Sequence, residues 1–311
     1  MSEIAEHPVT VAAPSRPRIG HVDLVLYGVT VLSWGLSWGA IHFQLGTVDP
    51  DVSVFWRFLI ATPIMMGCAV FRGENLRFGL SDHLRFMLLG ALIFSTNFLV
   101  FYYASQYFAS GLVSVVFSLA AIVNVFFGKL FLGAAVDRRV VVGAILGALG
   151  VGALFYPEIA TTHLDGAAFK GLALCVSGVL LFCLGNVVSV KLQRRGSPVF
   201  AASGWGMLYG SILLGLFAAA LGHPFVIEPT VTYIGGLIYL AVFASVVGFA
   251  CYFRLLARIG ADRAAYATVL MPVIALVVST VAESYHWSWQ GAVGILAVLA
   301  GNAFVLRSAR R

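Results

Sequence analysis

The chain has 311 residues, of which 60% are hydrophobic and 10% charged, and its mean hydropathy is +0.96. Soluble domains carry about 25% charged residues, so this composition excludes an ordinary soluble enzyme and points to a polytopic membrane protein. The formal net charge of +6 leaves nucleic acid open as a partner only until the cations are placed.

Residues 1–20 hold Pro8, Pro14 and Pro17 among charged side chains and no apolar core. A disordered cytoplasmic tail is expected there, not a cleaved signal. Beyond it lie ten apolar tracts, at about 23–43, 51–71, 84–103, 109–132, 138–156, 168–190, 199–221, 231–256, 261–283 and 287–306. Each approaches the roughly 20 residues that carry a helix across a bilayer. The expected fold class is therefore an all-α integral membrane protein with ten transmembrane helices.

The cations fit that count. Lys and Arg gather in cytoplasmic loops, and 17 of the 19 basic residues fall in the tail, in alternate loops or at the C-terminus if both termini are cytoplasmic. Arg72, Arg77 and Arg85 flank one such loop, and Lys191, Arg194 and Arg195 another. The charge is then a topology signal and no nucleic-acid partner is expected. Arg57 and Lys170 stand outside the pattern. Arg57 is read as snorkelling to the outer headgroups, with a carboxylate contact for an amino-acid substrate as the second reading. Cys68, Cys175, Cys183 and Cys251 lie within apolar tracts and read as small buried hydrophobes, neither disulfides nor metal ligands.

The chain repeats itself. An offset of 151 residues pairs Gly111 with Asp262, Leu119 with Leu270 and Ala121 with Pro272; 149 pairs Trp56 with Trp205; 148 lays Ser33–Trp38 on Leu181–Asn186. Five spans per copy is an odd number, so the second copy enters the membrane from the opposite face. Two inverted five-helix repeats, 21–156 and 157–311, are expected around a central cavity.

Three stretches carry a resemblance: Trp34-Gly-Leu-Ser-Trp-Gly39 in span 1, Phe55-Trp-Arg-Phe58 in span 2, and Gly260-Ala-Asp-Arg-Ala-Ala-Tyr266 leading to Met271-Pro272 in span 9. On these the chain resembles the EamA-type carriers of the drug/metabolite transporter superfamily, most of all bacterial exporters of aromatic and other amino acids. The resemblance implies a cavity lined by spans 1, 3, 4, 6, 8 and 9, with spans 5 and 10 packed at the back. The chain departs from the family pattern at Ala121, where a proline is usual, and at Gly133, near a commonly acidic position.

Residues four apart share a helix face, and the central pairs are Trp34 with Trp38, Asn97 with Phe101, Ser114 with Ser118, and Phe182 with Asn186. With Tyr252 and Tyr266 these are the candidate substrate-binding residues, and Gly111 and Pro272 the candidate hinges. Each has a structural alternative. Serines in apolar helices back-bond to their own backbone, and tryptophans belong to the interfacial belt. Asn97 needs a polar partner wherever it is buried. Asn302, in span 10, is read as helix packing. No Asp or Glu falls mid-span, so a uniporter without proton coupling is expected. The Gly147–Gly152 run lacks a following Lys-Ser/Thr and reads as helix packing, not a phosphate loop.

The expected function is export of small metabolites, amino acids with aromatic or apolar side chains foremost, across a bacterial inner membrane by a monomer in contact with lipid. No enzyme activity, cofactor or metal is expected. The alternatives are a multidrug exporter for lipophilic compounds and, further off, a membrane enzyme or lipid flippase.

Overall fold

The computed structural model describes residues 20–133, 138–161, 166–259 and 266–308. Among these the secondary structure is helical throughout. In chain order we number α1 His21–His42, α2 Pro50–Phe71, α3 Leu80–Ala104, α4 Ser110–Leu132, α5 Arg138–Thr161, α6 Ala167–Arg194 and α7 Val199–Leu221. Helix α8 continues through Val231–Ile238, Tyr239–Val247 and Gly248–Ile259; α9 is Tyr266–Ala282 and α10 Trp289–Ser308. Seven helices, α1–α4 and α6–α8, are long and apolar enough to cross a membrane; Val141–Leu154, Val269–Ala282 and Trp289–Ala303 are shorter apolar stretches. The apolar tract of α5 ends before its helix does, so a divide at 156/157 falls inside a helix that runs on to Thr161.

Glycine sets how closely the helices approach. A Cβ on Gly150 of α5 would stand 2.7 Å from the Gly294 carbonyl oxygen of α10, and one on Gly301 would stand 2.6 Å from that of Gly143. The two helices therefore run antiparallel in backbone contact, the small-residue packing that apolar solvent favours. Helices α3 and α7 also meet in backbone contact but run parallel, with Gly90 against the Gly206 carbonyl and Gly210 against that of Phe94.

Helices α2 and α7 are also antiparallel, and their end contacts come in matched pairs. Trp56 Nε1 donates to the Val226 carbonyl at 3.2 Å, and Trp205 Nε1, 149 positions on, donates to the Leu76 carbonyl at 3.1 Å. At the start of α2 Asp51 binds His223 Nδ1 at 2.8 Å, while at the start of α7 the Ala201 amide donates to Glu74 at 2.9 Å.

Two helices contain a wider turn. The i→i+5 pattern of a π segment occupies Gly90–Thr96 in α3 and Tyr239–Val247 in α8, starting 149 residues apart. In each a serine hydroxyl donates back five residues, Ser95 to Gly90 at 3.1 Å and Ser245 to Leu240 at 2.9 Å. Such bulges leave backbone groups open to outside partners and recur at functional sites.

Candidate functional site

A narrow, partly open cavity of about 40 Å³ lies within the bundle. Helix α1 gives it Trp34, Ser37, Trp38 and Ile41, and α3 gives Asn97, Phe98 and Phe101. One residue each comes from α2 (Arg57), α4 (Phe117), α6 (Phe182), α8 (Phe249) and α9 (Met271). The six helices expected from the resemblance all contribute, and α2 is an addition.

The wall is aromatic and cross-linked by edge contacts. Trp38 meets Phe101 at 5.3 Å and Phe117 at 5.6 Å between ring centroids, and Phe117 meets Phe182 at 4.9 Å. Trp34 lies 5.2 Å from Phe249 and 5.0 Å from Tyr252. Its Nε1 donates to the Ala244 carbonyl at 3.1 Å, inside the π segment of α8. The ring is thus held at depth, not at an interface. Asn97 finds its partner across the bundle, donating Nδ2 to the Gly178 carbonyl of α6 at 2.7 Å.

Other candidates are placed elsewhere. Ser114 donates to the Gly111 carbonyl at 2.6 Å and Ser118 to the Val115 carbonyl at 2.6 Å, and neither lines the cavity. Spacing put both serines on one face, and that face turns out to be a packing face. Ser118 also accepts from Asn302 Nδ2 of α10 at 2.9 Å. Asn186 is likewise off the cavity, donating to Asn124 Oδ1 at 3.2 Å between α6 and α4. Tyr252 backs Trp34 from behind the lining. Tyr266 opens α9, but its side chain lies outside the described residues, as do Asp262 and Arg263. Gly111 is a close approach: a Cβ there would stand 3.0 Å from the Leu276 Cα, and its amide donates to Ser279 Oγ at 3.1 Å. Pro272 lies within the continuous helix α9.

Arg57 corrects the sequence reading. It does not snorkel: the residue is 2% exposed and forms part of the cavity wall. Seven residues past Pro50, it sits about 10 Å along α2 at 1.5 Å per residue. Nε donates to Ser245 Oγ at 3.0 Å, and the guanidinium lies 4.2 Å from the Phe98 ring centroid. Burying an arginine at such a depth costs about 3 kcal/mol or more. Cation–π contact returns up to about 2 kcal/mol and the hydrogen bond to Ser245 about 1.5–3 kcal/mol, with no carboxylate among these partners. Phe98, Phe117, Phe249 and Met271 were also missed, since nothing in an apolar run marks which phenylalanine faces inward.

These features define a multi-pass membrane protein with an aromatic-lined cavity. The chain belongs to the EamA-like transporter family, which matches residues 24–156 and again 169–307. Among its relatives, the probable amino-acid metabolite efflux pump of Escherichia coli is 26% identical over 299 residues, covering 92% of this chain and 96% of its own. PagO of Salmonella typhimurium is 23% identical over 281 residues, covering 89% and 90%. An uncharacterized transporter of Archaeoglobus fulgidus is 24% identical over 289 residues, covering 91% and 98%. A solved crystal structure with 17% identity superposes with a TM-score of 0.68, over 93% of this chain and 98% of the other, and shows the same fold.

Proposed function

We propose that this transporter exports small metabolites across a bacterial inner membrane, with aromatic and apolar amino acids as its main cargo. The observation that carries the reading is the wall of seven aromatic rings, drawn from α1, α3, α4, α6 and α8, around a narrow cavity. Such a surface accepts a flat or branched apolar side chain by stacking and edge contact. The E. coli relative, whose name specifies amino-acid metabolite efflux, supports the cargo class.

Alternating access between two inverted halves is the mechanism. Seven long helices and three shorter apolar stretches support a count of ten spans, and the family matches twice along the chain. The antiparallel pairs α2/α7 and α5/α10 join helices at equivalent places in the two halves. The cation pattern supports cytoplasmic termini at both ends. The two π segments join Gly111 and Pro272 as the places where the halves flex.

Among the described residues the carboxylates cluster near helix ends and in loops, as with Asp23, Asp51 and Glu283, and none lines the cavity. That favours a uniporter driven by the solute's own gradient. Uptake of labelled phenylalanine into proteoliposomes, with and without an imposed pH gradient, is the test. Equal rates are expected. Strong acceleration would replace uniport with proton coupling, and uptake of lipophilic drugs in place of amino acids would transfer the cavity to the multidrug reading.

A further inference from the structure

Resting on the reading of this cavity as a solute site, we infer that Arg57 is an anion anchor and that the solute must offer it a carboxylate. The guanidinium is buried and its described neighbours are neutral: the Ser245 hydroxyl at 3.0 Å and the rings of Phe98 at 4.2 Å and Phe58 at 5.3 Å. The described carboxylates that form ion pairs are engaged elsewhere. Asp23 holds Arg258, Glu74 lies by Arg72, Asp82 holds Arg85, Asp49 and Asp51 face His223, and Glu283 faces His42.

Arg57 Nη1 and the Tyr102 hydroxyl are buried neighbours that interact with each other, and neither makes a well-aligned hydrogen bond to another group. Arg57 Nη1 can only donate, and the phenol oxygen can accept one of its protons, so what the site lacks is a counter-charge. A carboxylate has two oxygens in the geometry that a guanidinium fork matches, and it brings the missing negative charge. Its apolar substituent would then lie along Trp38, Phe101 and Phe117. For a zwitterion the ammonium must point away from Arg57. Asn97, whose amide N–H is committed to Gly178, leaves its carbonyl oxygen as the acceptor for that group.

The contrast with the other half sharpens the assignment. The position 149 residues beyond Arg57 is Gly206, whose carbonyl oxygen lies 2.4 Å from where a Cβ on Gly90 would stand. Where α2 carries its cation to the π segment of α8, α7 meets the π segment of α3 with bare backbone. The anchor is one-sided.

The test is equilibrium binding to the purified full chain, read by tryptophan fluorescence, since Trp34 and Trp38 are in the wall. The ligands are 3-phenylpropanoate, phenylalanine, phenylalaninamide and phenethylamine, with sodium chloride at matched ionic strength. The two carboxylates are expected to bind at least tenfold more tightly than the amide and the amine. Arg57→Gln should erase the difference, whereas Arg57→Lys, keeping the charge but not the fork, should weaken binding and keep the order. The inference is overturned if the amide or amine binds as well as the acids. It is equally overturned if Arg57→Gln keeps the preference, if chloride alone gives the same response, or if no ligand of the four binds. Should Arg57→Gln fail to fold, the ligand order on the unmodified protein and Arg57→Lys decide. Binding of phenylpropanoate without amino-acid flux would keep the anchor and remove amino-acid export; flux indifferent to the carboxylate would do the reverse.

Discussion

Trp38 is the residue on which the aromatic wall turns, because its ring touches Phe101 of α3 and Phe117 of α4 at once. Each such ring contact contributes about 0.5–1.5 kcal/mol beyond simple burial. Trp38→Ala is therefore expected to weaken apparent solute affinity by about two- to tenfold while the protein still inserts, as read from the concentration dependence of uptake at equal expression. Trp34 and Trp38 were legible in the sequence because two tryptophans on one helix face, well inside a span, are out of place in lipid. Asn97 was legible for the same reason. Arg57 was not. From the sequence its nearness to the start of α2 admits both an outward and an inward side chain, and only the position of Ser245, 188 residues away, decides between them. Ser114 and Ser118 show the converse failure: spacing gave the shared face correctly and said nothing of what that face meets.

At the scale of the helix, glycine positions separate structural from permissive sites in a way the sequence alone does not. Gly150 and Gly152 lie two residues apart on α5, yet a side chain on the first would strike the α10 backbone and one on the second would meet open space. Overpacking of this kind costs about 1–3 kcal/mol. Gly150→Leu should lower the thermal transition of the purified protein clearly, and Gly152→Leu should leave it within error. The π segments give a second contrast. Ser245→Ala removes the acceptor of Arg57 Nε together with its own back-bond, whereas Ser95→Ala removes back-bonds only. Solute affinity should fall in the first variant and hold in the second, measured by the same binding titration. No residue pattern announces a π turn, so hydropathy located α3 and α8 but not the joints within them. The apolar tracts were open to reading because they depend on composition along the chain, not on which way one side chain points; the packing of spans 5 and 10 was implied only by the family resemblance.

Across the whole molecule, charged contacts stand at opposite ends of the cavity. Where α1 ends, Glu283 accepts the Ser110 amide at 2.8 Å and also its hydroxyl, so a carboxylate at the end of α9 caps the N-terminus of α4. A negative group is well placed there, facing the positive end of the helix dipole. Where α1 begins, Asp23 grips Arg258 of α8. If these contacts hold the two ends shut in turn, Glu283→Gln should raise labelling of an Ile41→Cys reporter by a membrane-impermeant maleimide, and Asp23→Asn should not. Equal labelling in both variants would remove the gate at α4 and α9.

The Arg57–Gly206 mismatch bears on how the carrier counts. A protein assembled from two like halves has, in principle, room for twin ligands related by its own approximate symmetry. Here the twin position is occupied by touching main chains, with no volume in which a second cation might be housed. With Arg57 as the anchor proposed above, the cavity takes one acid group at a time.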